Sequence, residues 1–206
     1  TRTKAWLGQP HLIKKLEKKF GEMVKGLMKY RTPGTPHTGI VRPNEGDLLV
    51  EEEQQELYRS GVGMLLYLVK HSRPDIANAV RELSKCMTGA NARAFKELMR
   101  VIKFVLDTRE YGLKLAPKWE DAMLWELRIY SDSDWAGDKD NRKSITGFII
   151  FLLGAPILWR SKAQASVALS STEAEFYALS EAAKEIKFIV QVLISMGIPV
   201  KLPVIV

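Results

Sequence analysis

The sequence predicts an α/β chain in two parts, a small helical body followed by a split sheet that carries one long helix. Three observations lead there. Apolar residues recur at three- and four-residue spacing up to about residue 116, and the period becomes two between Leu127 and Leu169. Helical spacing then returns from Thr172 to Met196, ahead of an apolar end at Leu202–Val206. Helices gathered on one side of the sequence and strands with a covering helix on the other make two bodies, residues 1–116 and 117–206.

In the first part, Leu12, Ile13, Leu16 and Phe20 form an apolar stripe with lysines opposite and a stop at Gly21. Thr32-Pro33-Gly34-Thr35-Pro36 breaks the chain into a loop, and Glu51-Glu52-Glu53 opens a second helix striped by Tyr58, Val62, Leu65, Leu66 and Val69. Ser72 is placed to cap a third helix with Pro74 in its first turn, lined by Ile76, Ala79, Val80, Leu83 and Met87. Asn91 caps a fourth, with Phe95, Leu98, Met99, Ile102, Val105 and Leu106 on one side. No buried charge is evident in these helices. Met64, Met87 and Met99 read as core filling, and His11, His37 and His71 have no partner at metal-ligand spacing.

In the second part, Leu127–Asp132 alternates as a strand that ends in the acidic loop Asp132-Ser133-Asp134-Trp135-Ala136-Gly137-Asp138. Thr146–Leu153 is a second strand, Gly154-Ala155-Pro156 a turn, and Ile157–Arg160 the return of a hairpin whose edge Val167–Leu169 can continue. Leu202–Val206 reads as the start of a buried parallel strand.

Composition narrows the classes. With 206 residues, 46% hydrophobic and 27% charged, the chain can build a core and is not a disordered one. Its longest apolar run, Phe148–Leu153, is far short of the roughly 20 residues of a membrane helix. Cys86 is the only cysteine, which excludes a disulfide framework and fits a reducing compartment. The net charge of +7 is not spread evenly: residues 1–31 hold nine Lys/Arg against two Glu, and the other 175 residues hold 22 of each sign. A basic cluster of that kind favours a polyanion or is simply a solvated face; charge alone leaves both open. The start at Thr1, without a methionine, points to a piece of something longer.

The chemistry is concentrated in two carboxylates. The stripe of the long helix, Leu179, Ala182, Ile186, Ile189 and Leu193, extends back by one turn onto Glu175, where an acid in line with the core needs compensation. Glu173 lies about 200° away around the helix. One alternative is a capping box in Thr172-Glu173-Ala174-Glu175, with Glu175 reaching back to the Thr172 N–H. The other is an acid aimed at the end of the first strand, where Asp132 stands at the position α/β sheets use for ligands. An EF-hand fails, because its fifth and twelfth positions would be Ala136 and Lys143. Asp132 and Glu175 together are hard oxygen donors suited to Mg²⁺, and two such ions could clamp a phosphodiester for in-line attack by water.

Tyr130-Ser131-Asp132-Ser133-Asp134-Trp135-Ala136-Gly137-Asp138, Arg142-Lys143-Ser144-Ile145-Thr146-Gly147-Phe148, Trp159-Arg160-Ser161-Lys162-Ala163-Gln164 and Leu169-Ser170-Ser171-Thr172-Glu173-Ala174-Glu175-Phe176 resemble the ribonuclease H domain of copia-type retrotransposon polyproteins. Tyr58-Arg59-Ser60-Gly61-Val62-Gly63-Met64-Leu65-Leu66-Tyr67-Leu68 and Arg73-Pro74-Asp75-Ile76-Ala77-Asn78-Ala79-Val80 are similar to the end of the reverse transcriptase before it. The resemblance covers nearly the whole chain in one order. It implies a ribonuclease H-like mixed sheet, incomplete here, preceded by a helical thumb or connection region.

By the same resemblance, four carboxylates and two Mg²⁺ cut the RNA strand of RNA–DNA hybrids, and the parent also copies RNA into DNA. Asp132 matches the first carboxylate and Glu175 the second. The third and fourth fall beyond Val206, so the segment alone is expected to be nearly inactive. The Tyr-x-Asp-Asp polymerase motif is absent, since Tyr130-Ser131-Asp132-Ser133 fails its last position. Arg142, Lys143, Arg160 and Lys162 are candidate phosphate contacts, and Ser161, Ser170 and Ser171 offer hydroxyls to a 2′-OH. Lys14, Lys15 and Lys18 are candidates to hold the template–primer duplex. Implied partners are the hybrid, that duplex and the rest of the polyprotein, in cytoplasmic virus-like particles and not at a membrane.

Overall fold

The computed structural model describes residues 4–35, 39–116 and 124–204. They fall into two compact units: Gly8–Gly112 is one, and the remaining described residues are the other. The division thus lies at Gly112/Leu113, a few residues before Ala116-Pro117, and the first residues group with the sheet. His37 and Pro117 lie outside the described residues.

The first unit is helical. Helix α1 spans Pro10–Val24, with the proline at its first position, where the missing N–H is harmless. It buries Ile13, Leu16, Phe20 and Val24 and leaves its lysines outside. Helix α2 is Glu52–His71, with Glu52 and Glu53 at its positive end and Lys70 and His71 at its negative end. Its buried side is Tyr58, Gly61, Val62, Leu65 and Leu68, so Leu66 faces outward, contrary to the expected stripe. Gly61 lets the helices approach closely: a Cβ would come within 3.1 Å of both Leu98 and Phe20, which would have to give way by a few tenths of an ångström.

Ser72 does not cap the next helix. Its hydroxyl is buried without a hydrogen-bond partner among the described residues. Pro74–Ile76 forms a single 3-10 turn that leads into α3, Ala77–Ser84. Helix α4, Ala92–Asp107, is capped as expected, with Asn91 Oδ1 accepting from the Ala94 N–H at 2.9 Å.

This unit does hold a buried charge, which overturns the expectation of none. The Arg73 side chain is 1% exposed. Its Nε and Nη2 donate to the two Asp75 carboxylate oxygens at 2.9 and 2.8 Å. Nη1 and Nη2 also donate to the Thr108 carbonyl (3.2 Å) and hydroxyl (2.8 Å), so the start of α3 is bolted to the end of α4. The rings of Phe104 and Tyr111 lie 5.8 and 5.5 Å from the guanidinium carbon. Helical periodicity gives no sign of it because Arg73 sits in the joint between two helices.

Tyr58 is enclosed as well, its hydroxyl donating to the Leu83 carbonyl at 2.7 Å. Burial, then the neighbouring Cys86 thiol, push its pKa well above the ordinary tyrosine range. A raised folded-state pKa contributes stability that is complete below the unfolded value, about 10, and is lost as pH rises past it. The thermal midpoint is therefore expected to fall more steeply between about pH 9 and 11 in the native chain than in Tyr58→Phe. Equal slopes would contradict it.

In the second unit, β1 (Ala5–Leu7) pairs antiparallel with β2 (Leu113–Leu115). The main sheet is β3 (Leu127–Asp134), β4 (Ile145–Leu152) and β5 (Ala155–Ala163), antiparallel in that order. Its hairpin turns at Leu153-Gly154, both at positive φ, not at Gly154-Ala155-Pro156. Positive φ at both central residues matches strand twist in a two-residue turn. Leu153 accepts that conformation while buried, its N–H donating to the Glu126 carbonyl. Pro156 sits beside the register shift at Ile150/Phe151, where a missing donor does least harm.

Helix α5, Ser171–Ser195, covers one face of the sheet. Leu127, Ile129, Phe148 and Ile150 pack there against Ala182, Ile186 and Leu193. Val167–Leu169 is not a strand, and Leu169 is 88% exposed. The expected strand at Leu202–Val206 is not formed in its described part. In its place Val200 makes a single parallel bridge to Trp125, and Leu202 is exposed. Ile205 and Val206 lie outside the described residues.

Candidate metal centre at the end of the long strand

Strand β3 runs two residues beyond Asp132, so that acid is not its last residue. Alternation along the strand turns Leu127 and Ile129 toward α5 and leaves Arg128, Tyr130, Asp132 and Asp134 on the other face. Asp132 is exposed. Because β3 is an edge strand, part of its backbone has no partner strand.

Glu175 arrives from α5. The buried stripe of that helix is Ala174, Ala178, Ala182, Ile186 and Leu193; it shares Ala182, Ile186 and Leu193 with the stripe read off the sequence and departs from it in the first turns, where Ala178 and Ala174 stand in place of Leu179 and Glu175. Glu175 therefore lies beside the core line and is exposed. Its Oε1 accepts a hydrogen bond from the Ser133 N–H at 3.3 Å. The acid thus stands at the residue next to Asp132.

The competing use of Glu175 as a helix cap is settled. Ser170 is the N-cap, its Oγ accepting from the Glu173 N–H at 3.1 Å, and Glu173 Oε2 accepts from the Leu169 N–H at 2.7 Å. The reciprocal pair is Ser170-x-x-Glu173, not Thr172 with Glu175. That spacing was present in the sequence and would have found it. With the helix start satisfied, Glu175 is free to serve the strand end.

Three further groups that motif reading did not single out frame this end. Trp135 Nε1 donates to the Ala168 carbonyl at 3.1 Å, joining the loop after β3 to the segment before α5. Ser144 Oγ accepts from the Ala136 N–H, and Gln164 is buried between β4 and α5. The Asp134 carboxylate lies against Gly137, where a Cβ would displace it.

The expected phosphate contacts separate. Arg142, at positive φ, and Lys143 lie on the turn between β3 and β4. Arg160 lies on the α5 side of the sheet, in an ion pair with Glu185 at 2.8 Å and over the Phe148 ring. Lys162 lines the same small gap as Tyr177 and Glu181. Phosphate binding by Arg160 requires breaking its pair. In the helical unit Lys14, Lys15 and Lys18 are exposed, and none is in an ion pair among the described residues.

No group of three or more His, Cys, Asp or Glu able to hold a metal ion occurs among the described residues. Asp132 and Glu175 are two hard oxygen donors on adjoining positions, and Mg²⁺ is commonly held by one or two carboxylates with water and phosphate completing its shell. Asp132 leaves the sheet face away from α5 while Glu175 comes from α5 and meets the backbone at Ser133, so one ion can be shared only if the two carboxylates meet around the edge of β3.

No family model matches the chain, and no solved structure matches it. It is 43% identical over 128 residues to a secreted RxLR effector protein of Plasmopara viticola, covering 62% of this chain and 87% of that one. It is 38% identical over 146 residues to the retrovirus-related Pol polyprotein from transposon RE1 of Arabidopsis thaliana, covering 71% of this chain. It is 32% identical over 200 residues to that from transposon TNT 1-94 of Nicotiana tabacum, covering 96% of this chain. The chain spans 10% and 14% of those two polyproteins. Similarity to retrotransposon Pol polyproteins thus runs through both units of the chain, which corresponds to a short segment of their length.

Proposed function

We propose that the chain is the junction of reverse transcriptase and ribonuclease H in such a polyprotein: residues 1–116 end the polymerase, and residues 117–206 begin a ribonuclease H-like domain. Asp132 and Glu175 are its metal ligands. The observation that carries this reading is the release of Glu175 from capping duty and its placement on the Ser133 N–H beside Asp132. Mg²⁺ bound there supplies charge neutralisation at a scissile phosphate. The chain's own part is to hold that ion at the strand end and to present Arg142, Lys143 and Lys162 to the RNA–DNA hybrid.

Two carboxylates do not organise a two-ion site, so cleavage by the chain alone is expected at background level and metal binding is the informative readout. Glu175→Gln should weaken Mg²⁺ binding at least about tenfold, a loss of about 1.4 kcal/mol, with the circular dichroism spectrum unchanged. Unaltered binding contradicts the assignment.

A second reading, a nucleic-acid-binding remnant without catalysis, is favoured by the unpaired Lys14, Lys15 and Lys18 face. It predicts hybrid binding that responds to salt and is indifferent to Mg²⁺.

A further inference from the structure

Gln164 is 3% exposed, a polar side chain enclosed just after β5. Its backbone N–H donates to the Ser144 carbonyl at 2.8 Å. Its Nε2 donates twice, to Thr146 Oγ1 at 3.1 Å and to the Ala174 carbonyl at 3.0 Å. Thr146 belongs to β4 and is itself buried, while Ala174 is fully buried in the first turn of α5. An apolar side chain of similar size could fill this space, so packing alone does not call for an amide. Directional hydrogen bonds across the layers do.

The consequence lies one residue along. Successive side chains of an α-helix leave about 100° apart, so the azimuth of Ala174 sets that of Glu175. Holding the Ala174 carbonyl against Thr146 decides where the Glu175 carboxylate can reach, and it reaches the Ser133 N–H.

We propose that Gln164 is a positioning residue: by tying the Ala174 carbonyl to Thr146 it aims Glu175 at the end of β3, where that carboxylate and Asp132 take a divalent cation. The cation clause rests on the metal-site reading given above; the aiming of Glu175 does not.

Backbone amide exchange and Mn²⁺ binding in the full chain test both parts. In Gln164→Leu, and in Thr146→Val, the Ser133 amide should exchange about tenfold faster, matching Glu175→Ala, while the Ile129 and Ile150 amides keep their native rates. Thr146→Ser, which retains the acceptor, should behave as native. The Mn²⁺ dissociation constant should rise about tenfold in Gln164→Leu, as when partners behind metal ligands are removed. A Ser133 amide that loses protection in Glu175→Ala and keeps it in Gln164→Leu overturns the proposal. So does a uniform acceleration across the sheet in both Gln164→Leu and Thr146→Val, or failure of both to fold, since Gln164 would then only hold the fold together. Mn²⁺ affinity unmoved by Glu175→Ala overturns the metal reading and the cation clause with it, and the exchange rates still decide whether Gln164 aims Glu175.

Discussion

Arg73→Ala should lower the unfolding free energy of the helical unit by about 3–5 kcal/mol. The substitution removes the cation paired with Asp75, takes from the Thr108 carbonyl and hydroxyl the donor that Arg73 supplies, and opens space beside Phe104 and Tyr111. Domains of this size hold about 5–15 kcal/mol in all, so the variant should be poorly folded at body temperature. Arg73→Met fills most of the space, and with Asp75→Asn in the same chain it leaves no unpaired charge. That double variant should regain much of the loss, because breaking a buried pair costs more than replacing it. Denaturant unfolding of the three chains measures this. Equal stability of Arg73→Ala and native chains would show that the joint between α3 and α4 does not depend on the pair.

The second large effect concerns nucleic acid. Replacing Lys14, Lys15 and Lys18 by Gln should reduce the slope of log K against log salt for hybrid binding by about 2–3, if each lysine neutralises one phosphate. Near 0.1 M salt that corresponds to a loss of affinity of about tenfold or more. All three side chains are exposed and lie away from the buried stripe of α1, so the fold should be unaffected. Filter binding across a salt series gives the slope. An unchanged slope would make these lysines a solvated face and nothing more.

Where one face of an element meets one core, its existence and its buried side were readable from sequence. The stripes of α1 and α4, the Asn91 cap and the three long strands all follow from simple periods. Failures occurred where tertiary demands override them. Ser72 has the residue type of a cap, but the backbone makes a 3-10 turn and turns the hydroxyl inward. Arg73 belongs to no helical face and is buried by its partners on α4. In the first turns of α5 the buried line is Ala174, Ala178 and Ala182, so a reading weighted toward large residues takes Leu179 there and puts Glu175 in the core line, while Ile186 and Leu193 are read correctly. Alanine is chosen there because the first turns approach the sheet closely, as the Gln164 contact to the Ala174 carbonyl shows.

The candidate site was legible as residue types and not as geometry. Asp132 and Glu175 stand out as oxygen donors near a strand end, and alternation from Leu127 and Ile129 already puts Asp132 on the other face, but the point where Glu175 meets β3, the Ser133 N–H, is set by packing of α5 that no period encodes. Likewise Arg160 reads as a free cation in sequence, while Glu185, 25 positions later, claims it across the layers.

The central claim is that one ion is shared by Asp132 and Glu175. Paramagnetic broadening by Mn²⁺, used in place of Mg²⁺ at substoichiometric amounts, tests it most directly in the isotopically labelled full chain. One shared ion should broaden the amides of Ser131–Ser133 and of Ala174–Phe176 together, and excess Mg²⁺ should restore both sets. Broadening confined to one of the two sets, or spread over the acidic loop and sparing Glu175, would contradict it.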